Sequence, residues 1–135
     1  MRAWLLMLCC VLGLCKPLRA DTLHNDWQEL LSRHVKSQRG GHATAVDYLG
    51  FQRDRAQLSQ YLNALSAVTA ADYAQWPAAR QLAFLINAYN AWTVELVLRH
   101  YGDIASIRDI GGWFRSPWAQ RFIPLLGQQR SLDDI

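Results

Sequence analysis

Apolar positions along this chain fall into stripes of helical period before they merge into one nearly unbroken block. Trp27, Leu30, Leu31, His34 and Val35 follow an i, i+3, i+4, i+7, i+8 spacing, which predicts an amphipathic helix capped by Asn25 or Asp26. Gln38 to His42 then reads as a loop, and Ala45 to Tyr48 as a short extended segment that is either an edge strand or a simple connection. Gly50 reads as a turn. Phe51, Leu58, Tyr61, Leu62 and Leu65 mark a second helix ending near Val68, and Thr69 followed by Asp72 has the form of a capping box that opens a short third one. From Leu82 to Val94 the pattern changes: the only strongly polar side chains are Asn87 and Asn90, with Thr93 the one other hydroxyl-bearing aliphatic residue.

A helix that is apolar all round belongs in the middle of a fold. Pro77 sits where a first-turn proline is tolerated, and Arg99 and His100 supply positive charge before Gly102, so a central buried helix is expected over about 77–101. Asn87 and Asn90 lie about 60° apart on it and face the same neighbour. An amide is a poor helix former. Buried without a partner, each would cost about 1–3 kcal/mol. The pair is therefore either a clasp bonded to a neighbouring loop or one wall of a site.

Beyond this helix, Ile104 to Ile110 is expected to be a short turn or strand, and Gly111 to Trp118 an aromatic loop. In that loop Trp113, Phe114 and Trp118 form either a recognition surface or a lid over the core. Arg108, Asp109 and Arg115 read as a local charge network. Arg121 to Leu126 is expected to be extended, with Pro124 placing it at an edge, and Gly127-Gln128 to turn. Ser131 with Asp133 and Asp134 is a helix-start signature one residue before the end of the sequence, which reads as a domain truncated at its C-terminus. Together these elements predict a mainly helical α+β fold, with amphipathic helices and a few short strands around the central helix.

The first twenty residues alter the reading of the composition. A basic start, an apolar run to Leu14, then Leu18 and Ala20 have the layout of a secretory signal peptide cleaved after Ala20. The run is too short to span a bilayer. Lipidation at Cys15 is the less favoured alternative, because the bulky Leu14 precedes it. Cys9, Cys10 and Cys15 all leave with this leader, so residues 21–135 carry no thiol. Arg2, Lys16 and Arg19 also leave, which brings the 14 basic residues down to 11 against 11 acidic ones. The formal charge of +3 thus belongs to the leader. A near-neutral product gives no electrostatic case for nucleic acid or an anionic membrane as partner.

Chemical motifs are scarce. His24, His34, His42 and His100 are scattered with no metal-ligand spacing, and no phosphate-binding loop, dinucleotide fingerprint or nucleophile elbow occurs. No cofactor or metal is expected, and the catalytic residues are unknown. Asn87 and Asn90 are the supporting-wall candidates; Trp113, Phe114 and Trp118 are the binding candidates.

Val46-Asp47-Tyr48, the core Gln81-Leu-Ala-Phe-Leu-Ile-Asn-Ala-Tyr-Asn-Ala91, Ser106-Ile-Arg-Asp-Ile-Gly111 and the closing Ser131-Leu-Asp-Asp-Ile135 resemble the bacterial domain-of-unknown-function family 547, from about Trp27 onward. The resemblance implies frequent secretion and an activity that is not established. It also implies a domain that continues past the equivalent of Ile135 into a His-containing stretch and a Cys-rich segment. On that footing residues 21–135 would be the N-terminal part of such a domain, an exported fragment inactive alone. Two alternatives stay open: part of a thiol-dependent hydrolase or transferase whose catalytic residues lie in the missing half, and a non-catalytic envelope binding module using the Trp113–Trp118 loop.

Overall fold

The computed structural model describes residues 22–41, 43–102 and 116–135. The leader, His42, the Ile104–Ile110 segment and the loop positions Trp113, Phe114 and Arg115 lie outside the described residues. The fold is mainly helical α+β, with two small antiparallel hairpins attached to a helical body.

A turn of 3-10 helix at Thr22–His24 leads into α1 (Asn25–His34). Neither Asn25 nor Asp26 caps it. His24 holds the cap position with no side-chain cap bond, because its ring turns inward and pairs with the Tyr61 hydroxyl at 2.7 Å. The stripe itself is as expected, with Trp27, Leu30 and His34 buried and Leu31 and Val35 half-buried. At Val35 the chain leaves the helix for β1 (Val35–Gln38), which pairs antiparallel with β2 (Ala43–Val46), Val35 opposite Val46 and Gln38 opposite Ala43. The sequence conceals β1, since Lys36, Ser37 and Gln38 are all exposed and no apolar alternation marks the strand.

Asp47 and Tyr48 are not extended. Asp47 caps α2 (Tyr48–Arg53), its Oδ1 accepting the Gly50 N–H at 2.9 Å. Gly50 is accordingly no turn: it lies inside α2 and is buried. The helix expected from Phe51 onward is broken at Asp54 into α2 and α3 (Arg55–Ser66), and all five of its marker positions are buried. Thr69 caps the short α4 (Ala70–Ala74) as expected, its Oγ1 accepting the Asp72 N–H at 3.0 Å. Pro77 is the N-cap of α5 (Ala78–Arg99), the longest helix described. Gln81 on its first turn donates to the carbonyls of Tyr73 and Trp76, which fixes α5 to the end of α4. After a 3-10 turn at Pro117–Ala119, β3 (Ile123–Leu125) pairs with β4 (Gln128–Arg130). Leu126 and Gly127 connect them with φ of 53° and 74°, the doubly left-handed geometry of a tight hairpin turn. Pro124 points outward between two buried neighbours, and Ser131 begins a 3-10 turn at Leu132–Asp134 in which its N–H donates to Asp134.

The core lies between α1, α2, α3 and one side of α5. Trp27 stacks on Tyr61 at 5.6 Å with the rings 5° from parallel, and Phe51 closes on Trp27 and His34 at 6.0 and 4.9 Å. Leu30, Leu58 and Leu65 are fully buried among them. Each such side chain contributes about 1.5–3 kcal/mol.

The α1–α2 junction is the tightest place described. The His34 carbonyl accepts the Asp47 N–H at 2.7 Å, and His34 Nε2 pairs with Asp54 Oδ2 at 2.8 Å. A Cβ at position 50 would run into the His34 ring and stand 2.7 Å from Asp47 Oδ2, so a bare backbone is required there. Gly50→Ala is expected to destabilise the fold by about 1–3 kcal/mol. Urea unfolding of Gly50→Ala in wild-type and His34→Ala backgrounds tests the cause: the cost should shrink once the ring is gone. The hydrogen bond from His34 holds the Asp54 carboxyl below its ordinary range, with the charge of Arg33 adding to the effect. A lowered folded-state value stabilises above the unfolded value and is lost as pH falls through the acid range. Wild type should therefore lose more stability than Asp54→Asn between about pH 5 and pH 2, measured by thermal melts.

Candidate functional site

Every third or fourth residue of α5 faces the core, and the face opposite is just as apolar. Phe84, Ala88, Ala91, Trp92, Val94, Leu96 and Leu98 are buried. Leu82, Ile86 and Tyr89, at an i, i+4, i+7 spacing, are 60, 52 and 36% exposed. The expectation of a helix buried on every side is thus corrected. Among the described residues α5 is covered on one side by α2 and α3, and its second apolar stripe has nothing packed over it.

This stripe borders a groove. A cavity of about 260 Å³ is lined by Leu82, Leu85, Ile86, Tyr89, Asn90 and Ile135. A second of about 210 Å³ adjoins it, sharing Leu85 and Ile135 as its near wall. Tyr73, Leu125 and Leu126 form its apolar side, with Arg130 and Asp134 at the rim. The β3–β4 hairpin and the 3-10 turn after it therefore make the wall opposite α5. The bond from the Ser131 N–H, first, then the Ser131 side chain and the charge of Arg121, hold the Asp134 carboxyl below its ordinary range, so this rim group stays ionised.

Asn87 and Asn90 fall at the edge of the exposed stripe. Asn87 is half-buried and Asn90 exposed. Neither carboxamide has a hydrogen bond among the described residues. A clasp to a neighbouring loop is not what these residues form here. Asn90 is the one amide among the described residues that line the larger cavity, and Asn87 is not in that lining. Thr93 continues the same face and bonds back to the Tyr89 carbonyl at 2.7 Å. Trp118 is half-buried against the core, so it covers apolar surface. Its loop companions Trp113 and Phe114 lie outside the described residues.

No motif or spacing in the sequence singles out Glu95. In the structure it is buried at 7% exposure, its Oε1 accepting from Arg55 Nη2 at 2.9 Å and from Arg99 Nε at 2.8 Å. Arg99 also lies over the Phe122 ring at 4.9 Å. Glu95 Oε2 and the indole N–H groups of Trp92 and Trp27 are buried without a hydrogen-bond partner. This cluster clamps α3 to α5 and opens into no described cavity. Among the described residues no three His, Cys, Asp or Glu side chains meet in a way that could hold a metal, and no helix is long and apolar enough to cross a membrane.

Fold and groove together define a mainly helical α+β protein with an open apolar trough along its longest helix. The sequence model of the protein family of unknown function DUF547 matches residues 73–135. The match begins at α4, downstream of the Trp27 start expected from the motifs, and takes in every residue that lines the two cavities. Comparison with curated proteins and with solved structures finds no match.

The two polar features of α5 should behave oppositely on substitution. Asn87→Leu strands no partner and should shift stability by no more than about 0.5 kcal/mol. Glu95→Ala removes the shared acceptor of two arginines and should cost about 2 kcal/mol. Chemical denaturation of both variants reads the contrast.

Proposed function

We propose that this chain is an exported envelope protein with a DUF547-like segment, and that it acts by receiving polypeptide in the groove along α5. The observation that carries this reading is the exposed stripe of Leu82, Ile86 and Tyr89 running beside a ready-made trough. Apolar patches of this kind mark interaction surfaces on soluble proteins. A concave, largely apolar lining with one convergent polar group is the ordinary make-up of a binding site. Export rests on the leader pattern of residues 1–20, with cleavage after Ala20.

A second reading makes the same face one wall of a catalytic cleft, with a thiol and its base supplied by further polypeptide. The exposed carboxamide of Asn90 favours it, since such groups orient substrates and stabilise oxyanions. Replacing the cysteines of a full-length relative would sink this reading if all activity survived.

The intact mass of the protein recovered from the envelope of its native host is the first test. A mass equal to residues 21–135 is expected for an exported, processed short product. A larger mass moves the catalytic search to the additional polypeptide. Recovery of the uncleaved chain from the cytosol alone would overturn export.

A further inference from the structure

We draw no further inference here: the strongest candidate, the apolar groove between α5 and the β3–β4 hairpin, belongs to the site already described, and nothing in the structure shows what covers the exposed Leu82, Ile86 and Tyr89 stripe along it.

Discussion

A 22-residue helix that is apolar on two opposite faces has to be covered twice, and the rest of the structure follows from how far that requirement is met. On one side α2 and α3 meet it, and Phe51, Leu58 and Leu65 share one buried core with Phe84, Ala88 and Ala91. The two alanines are part of the solution, since small side chains let the neighbouring helix come close. On the other side the β3–β4 hairpin and the turn after it stand across from α5 with a trough between them. The groove is thus a consequence of the same composition that makes the core. Replacing the outer stripe with polar residues would have made an ordinary surface helix, and the chain does not do so.

Charge enters the covered side at one point. Glu95 is buried among apolar neighbours, where an isolated carboxylate would be costly, and Arg55 of α3 and Arg99 one turn later converge on its Oε1. The result is directional. A hydrophobic contact between α3 and α5 tolerates sliding, whereas a shared acceptor sets one register between them. Such buried ionic groups add little net stability but can specify an arrangement. Because the outer stripe of α5 is aimed by the rotation of the whole helix, this clamp also decides which residues face the groove.

Helical stripes were legible in the sequence because their period survives any change of partner. The α1 stripe, the buried set from Phe51 to Leu65 and the Thr69 cap all follow from spacing and local hydrogen bonding. The hairpin before α2 was hidden for the opposite reason: β1 is exposed along nearly its whole length, so burial leaves no mark on its sequence. Gly50 misled because a glycine needed for close approach within a helix looks the same as one needed for a turn. Only the His34 ring and Asp47, brought to it by tertiary packing, distinguish the two. Asn87 is half-buried and Asn90 is exposed in the groove. What each amide meets depends on the layer beside α5, and no periodicity in α5 itself carries that information. Glu95 was unreadable on the same ground, since both its partners are defined by packing.

The family match divides the molecule along a physical boundary. Residues 73–135 contain both walls of the groove, from Tyr73 at one end to Ile135 at the other. The helices before them, with Trp27, Phe51 and Tyr61, supply the layer on which α5 rests and contribute nothing to either cavity. A surface that needs precise geometry is best built on a rigid support, and an aromatic stack on the far side of a helix provides one. The first half thus works as a base that could be altered in sequence, so long as it stays apolar and well packed. The matched part has less freedom where its side chains line the groove.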